Sequence, residues 1–159
     1  MLVPKKSLGQ NFLIDKNLCK KITKSLNIKN KIIIEIGPGT GQLTDEIIKL
    51  NPKKLILIEK DNKLFKLLKK KYNKLDYMEI LNIDAINLDV NLNENFSIVS
   101  NLPYNIATKL IFKTLIKYNN IQEMIFLVQK EVSIKFRYQI NMKNNKYCLF
   151  LKTISKYEV

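Results

Sequence analysis

Apolar residues in this chain fall in short, dense runs, separated by segments in which they recur every third or fourth position. Six runs read as strands: residues 31–36, 54–59, 77–81, 96–100, 124–129 and 148–155. Near-continuous Ile, Leu and Val in the first, second and fifth leaves no polar face, the pattern of strands covered on both sides by helices in a parallel sheet. Residues 16–26, 41–50, 107–118 and 130–138 have helical spacing. So does the stretch carrying Leu64, Leu67, Leu68 and Tyr72, whose other face is Lys63, Lys66, Lys70 and Lys74. This βαβ rhythm predicts an α/β fold, an open, doubly wound, mostly parallel sheet in the strand order 3-2-1-4-5. A polar loop at 141–145 interrupts the rhythm, but no repeat or Pro/Gly/Ser linker does, so residues 1–159 read as one domain.

Composition narrows the chemistry. The chain has no histidine, which removes Ser/His/Asp hydrolysis, His general-base catalysis and His-ligated zinc. Cys19 and Cys148 form no Cys-x-x-Cys pair, so neither a disulfide framework nor a zinc ribbon is expected, and the metal expectation is none. No apolar run approaches the ~18 residues of a membrane span, and the start carries no apolar signal segment, so the expectation is a cytoplasmic protein with no membrane partner. The net charge of +14 points to a polyanionic partner. Of the 28 cationic residues only Arg137 is arginine, and Ile and Asn are abundant, a bias that A+T-rich codons also produce. The lysine face beside Leu64 therefore reads first as solvated and second as an RNA contact.

The first strand runs directly into Gly37-Pro38-Gly39-Thr40-Gly41 and a helix, the context in which glycine-rich turns bind nucleotides. Gly37 and Gly39 let backbone approach a ligand closely, and the helix start beyond offers N–H groups. A dinucleotide site wants Gly-x-Gly-x-x-Gly, but Gln42 holds the third place and the glycine falls one residue early. Glu35 just before the turn would repel a pyrophosphate and suits a cationic amino-acid group. Together these point to S-adenosylmethionine. Glu59, ending the second strand, stands where a carboxylate accepts both ribose hydroxyls, and Asp84 after the third can accept an adenine amino group. Their structural alternatives are a solvated strand-end acid and a turn residue.

Asn101-Leu102-Pro103-Tyr104 ends the fourth strand. In the expected topology it faces Gly37 across the crevice where the strand order reverses. Pro103 fixes its own φ and biases Leu102 toward extended geometry, so the acceptors of Asn101 and Leu102 can be aimed together beside an aromatic ring. That suits the amino edge of a flat, neutral base; the plain alternative is a strand-ending turn.

These blocks resemble the ribosomal RNA adenine dimethyltransferases, specifically the small-subunit enzymes that make N6,N6-dimethyladenosine in 16S rRNA. The resemblance runs through Lys6-Ser7-Leu8-Gly9-Gln10-Asn11-Phe12-Leu13, Glu35 to Gly41, Asn101 to Thr108 and Gln129-Lys130-Glu131-Val132. It implies a Rossmann-like methyltransferase fold with S-adenosylmethionine as cofactor, held by Asn11, Leu13, Gly37, Gly39, Glu59, Asp84 and Asn101. It also implies catalysis at Asn101, Leu102, Pro103 and Tyr104. Asn101 Oδ1 and the Leu102 carbonyl would hold the N6 hydrogens while Tyr104 stacks on the base. The implied partner is ribosomal RNA in an immature small subunit, met by a monomer. Phe12 with Lys5 and Lys6 would close over cofactor and RNA.

Family members usually continue through a further antiparallel strand into a small helical C-terminal domain, so the chain is expected to lack both. The strand at 148–155 would then expose an edge. A Tyr-Gly-Arg stretch common before that strand is replaced by Asn145-Lys146-Tyr147. Competing readings are the erythromycin-resistance methylases, which act on a large-subunit adenine, and a non-catalytic RNA-binding assembly factor. A nicotinamide oxidoreductase is disfavoured by the glycine spacing. Leu102 and the block at Gln129 favour the small-subunit group.

Overall fold

A computed structural model describes residues 13–102, 105–137 and 146–159. Five parallel strands form one sheet, β1 (Ile32–Ile36), β2 (Lys54–Ile58), β3 (Met78–Leu81), β4 (Phe96–Asn101) and β5 (Ile121–Leu127), in the order β3-β2-β1-β4-β5. Helices α1 (Lys16–Lys24), α2 (Gln42–Ile48), α3 (Asn62–Lys71) and α4 (Ala107–Lys117) precede or connect them. The strand order and the first five strands agree with the pattern of apolar runs. Asp15 and Asp61 set the starts of α1 and α3, each carboxylate accepting two backbone N–H groups that the helix itself leaves without partners.

β1 lies between β2 and β4, and all of its residues are buried, as are Phe96 to Ser100 of β4. Ile33, Ile34, Leu55, Leu57, Ile98 and Val99 have no measurable solvent contact. The expectation that the fifth run is covered on both faces is corrected: among the described residues β5, like β3, lies at an edge of the sheet, with Gln122 and Glu123 exposed and the rest half-buried. A continuous apolar run signals burial, but sheet position decides how much of it is realised. On α3 the periodicity reads correctly, with Leu64, Leu68 and Tyr72 buried and Lys63, Lys66 and Lys70 exposed.

The chain divides into two compact units, Met1–Leu127 and Val128–Val159. The second contains α5 (Lys130–Ile134) and α6 (Lys146–Ile154). The strand expected at 148–155 is therefore a helix. A short apolar run does not distinguish the two, and a helix satisfies its backbone internally whereas a strand needs a ladder partner. Within this unit Tyr157 donates its hydroxyl to the Phe136 carbonyl at 2.9 Å and lies 2.7 Å from the buried Cys148 Sγ. The polar loop at 141–145 lies outside the described residues. Among the described residues no helix is long and apolar enough to cross a membrane.

One member of β1 breaks its apolar composition. Glu35 is 1% exposed and accepts a hydrogen bond from Thr44 Oγ1 of α2 at 2.7 Å. Burial pushes its carboxyl up to about 8, against that hydrogen bond; nearby Asp45 and Glu59 act in the same direction as burial, and Lys71 opposes it. Cys19 is a further ionisable group close enough to interact. Between the ordinary carboxyl value of 4.5 and about 8, the folded chain holds a proton that the unfolded chain releases. Stability contributed by neutral Glu35 is thus present at low pH and lost as pH rises through the folded value. Glu35→Gln, which mimics the protonated acid, should flatten this dependence. Thermal midpoints measured from about pH 5 to about pH 8.5 should fall less in the variant than in the wild type; parallel curves would contradict the assignment.

Candidate functional site

The ladder between β1 and β4 brings the two key turns to one level. Ile36 is paired with Ser100, so Gly37 and Asn101 follow one another's neighbours at the carboxyl end of the sheet. The Ser100 hydroxyl donates to the Ile36 carbonyl at 2.6 Å, a buried tie across a sequence separation of 64. On the far side, the Gly37 N–H donates to the Ile58 carbonyl of β2 at 2.9 Å. The Leu102 N–H donates to the Leu127 carbonyl of β5 at 2.9 Å, which fixes the backbone immediately after Asn101.

A pocket opens at this point, lined by Leu13, Glu35, Gly37, Pro38, Gly39, Gln42, Leu43 and Asn101. Gly37 has φ +67°, and a Cβ built there would meet nothing within 4 Å, so the backbone faces open space. A side chain at this position would occupy the pocket itself. Opposite chemistry sits close by. Glu35, whose carboxyl is buried, is among the lining residues, and Gly39 donates to a second acid.

That second acid is Glu59, at the end of β2. Its Oε1 accepts from the Asp61 N–H at 2.8 Å and its Oε2 from the Gly39 N–H at 3.4 Å. Burial pushes its carboxyl up while these backbone donors favour the charged form. Asn82 Nδ2 donates to the Glu59 carbonyl at 2.8 Å, so the ends of β2 and β3 are tied as well. Asp84, just beyond, is paired with Lys60 Nζ at 2.7 Å and caps a 3-10 turn through the Ile86 N–H at 3.0 Å. The Lys60 hydrogen bond holds Asp84 below the usual carboxylate range.

Of the residues singled out in the sequence, Leu13, Gly37, Gly39 and Asn101 therefore share one pocket, together with Glu35. Glu59 stands one hydrogen bond behind Gly39. Asp84 is outside the lining and linked to the Glu59 strand end through Lys60 and Asn82. Leu102 is buried. Asn11, Phe12, Pro103 and Tyr104 lie outside the described residues. Contributors that went unread in the sequence include Lys60, which engages Asp84, Gln42 and Leu43, which line the pocket, and Ser100. Ser100 carried a signal, being a polar residue at the end of a largely apolar run. The residues fit an adenosyl amino acid: open space beside a side-chain-free Gly37, a buried acid for a cationic amine, and a second acid oriented by backbone for a ribose diol. Among the described residues no cluster of three or more His, Cys, Asp or Glu is placed to hold a metal ion.

Comparison with known proteins shows the family and the fold. The chain is 42% identical over 139 residues to a ribosomal RNA small subunit methyltransferase A from Sulfurihydrogenibium sp., a match covering 83% of the chain and 53% of that protein. Among solved structures, a dimethyladenosine transferase from Plasmodium falciparum superposes with a TM-score of 0.70 at 28% identity, covering 85% of the chain and 48% of the other. The 23S rRNA methyltransferase ErmE superposes with a TM-score of 0.68 at 27% identity, covering 79% and 50%. The chain spans about half the length of the curated relatives it matches. The family described as "Ribosomal RNA adenine dimethylase" matches residues 2–154, and with nearly every residue inside that match, the chain belongs to this family.

Proposed function

We propose that the chain binds S-adenosylmethionine at the Gly37–Asn101 pocket and transfers methyl groups to the N6 amine of adenines in 16S rRNA of the immature small subunit. The observation that carries this reading is the convergence of Gly37, Glu35 and Asn101 on one pocket at the β1/β4 crevice. Family membership and the small-subunit name of the 42% identical relative support the choice of RNA. In this reading the chain acts as a monomer in the cytoplasm.

The cofactor supplies an electrophilic methyl on a sulfonium. Everything else falls to positioning. The N6 lone pair of adenine is delocalised into the ring, so the amine is a poor nucleophile until its hydrogens are held out of that plane. Asn101 Oδ1 and the Leu102 carbonyl take that role, as two acceptors beside the developing positive charge. Tyr104 stacks on a base withdrawn from its RNA neighbours, at ~1 to 3 kcal/mol for such stacking. Pro103 sets the turn. Asn11 and Leu13 cover the cofactor, Gly37 and Gly39 admit it, Glu59 takes the ribose and Asp84 the adenine amine. No histidine is needed, because no strong acid or base has to act at the transferring group.

Glu35 faces the cationic amino-acid end. An acid that is neutral before binding becomes a carboxylate beside an ammonium, so binding releases a proton below about pH 8. Calorimetric titration with S-adenosylhomocysteine in buffers of different ionisation enthalpy should show this release near pH 7, and Glu35→Gln should abolish it. Proton release unchanged in the variant would move the linkage to another group.

Asn101→Ala should leave the thermal midpoint nearly unchanged and reduce labelled methyl transfer to unmethylated small-subunit particles by about a hundredfold or more. Undiminished transfer would sink the role given to Asn101. Label appearing in large-subunit RNA instead would favour the erythromycin-resistance reading, and binding without any transfer would favour an assembly factor.

A further inference from the structure

The glycine-rich turn is gripped from behind by two consecutive residues at the end of α3. Tyr72, 7% exposed, places its hydroxyl 2.7 Å from Asp45 Oδ1 and 3.0 Å from the Gly41 carbonyl. Lys71 Nζ reaches Asp45 Oδ2 at 2.7 Å and the Thr40 carbonyl at 3.3 Å. Burial, then the hydrogen bond and charge of Asp45, push the phenol's ionisation up, so it stays a donor at any ordinary pH. On its other flank α2 is held by the Thr44 bond to Glu35.

Gly41 shows what this grip requires. Its φ is +88°, and a Cβ built there would lie 2.3 Å from the Tyr72 hydroxyl oxygen and 3.2 Å from Cζ. Gly37, by contrast, faces open space. The two glycines thus have different tasks: one clears room for a ligand, the other for a phenol.

We propose that Tyr72 is a positioning residue for cofactor binding, its hydroxyl locking Gly41 and Asp45 so that the turn keeps the shape that receives the adenosyl amino acid. This rests on the reading of the Gly37–Asn101 pocket as the cofactor site. Tyr72 does not line that pocket and acts through Gly41 and, by way of Asp45, through α2. The sequence places Tyr72 on the apolar face of α3, and the ring does pack there; the hydroxyl adds the second role. Tyr72→Phe keeps the ring and removes only the grip.

The test is calorimetric titration of the full chain with S-adenosylhomocysteine, alongside thermal unfolding. Tyr72→Phe should weaken affinity about tenfold, the scale of one lost hydrogen bond to a charged group. Lys71→Met, on the surface, should weaken it about threefold through the same turn. Gly41→Ala should cost more affinity in the Tyr72 background than in the Tyr72→Phe background, because part of its cost is the clash with the hydroxyl. Tyr72→Phe that lowers the thermal midpoint with affinity unchanged would reduce Tyr72 to core packing and overturn the inference while leaving the cofactor site intact. A wild-type chain that binds no S-adenosylhomocysteine overturns both.

Discussion

The register between β1 and β4 is the constraint on which the site depends. Pairing Ile36 with Ser100 decides that Gly37 and Asn101 leave the sheet side by side, and the Ser100 hydroxyl on the Ile36 carbonyl reinforces that level. A shift of β4 by one residue against β1 would turn Ser100 to the opposite face of the sheet and put Gly37 and Asn101 out of level. The register is itself set by burial. Both strands are covered on both faces, so few alternative pairings leave their Ile and Val side chains dry.

Around this central pair, neighbouring strands and helices restrain the turns from outside. β2 holds Gly37 through Ile58 and β5 holds Leu102 through Leu127. Glu35 and Tyr72 hold α2 from two directions, through Thr44 and Asp45. Much of this restraint is polar and buried, which makes it directional. Apolar packing places the strands, while hydrogen bonds fix the angles of the loops between them.

The difference explains what could be read from the sequence. Strand order, the glycine turn and the place of Asn101 at the end of β4 were legible because periodicity and local turn chemistry are properties of neighbouring residues. The run at 148–155 was misread because nothing local distinguishes its helix from a strand, and β5 because edge position is a property of the whole sheet. The Lys60–Asp84 pair and the grip of Lys71 and Tyr72 join residues 24 to 31 positions apart, so neither leaves a local trace. The early glycine at position 41 was the exception. It was read as ligand discrimination, and the fold shows a packing reason as well: the residue must yield to Tyr72.

The layout also separates two tasks that the family combines. Every lining residue of the pocket falls between Leu13 and Asn101, inside the unit that ends at Leu127. The strand ends that fix Gly37, Gly39 and Glu59 are tied to one another by bonds within that unit. In the proposed reading, cofactor recognition draws on strand ends and ties that lie within this unit. Presenting an RNA adenine asks for something else, a surface that holds a base withdrawn from its stack beside Asn101. In the proposed reaction, affinity for the cofactor and transfer to RNA are physically separable quantities, and the first depends on fewer parts.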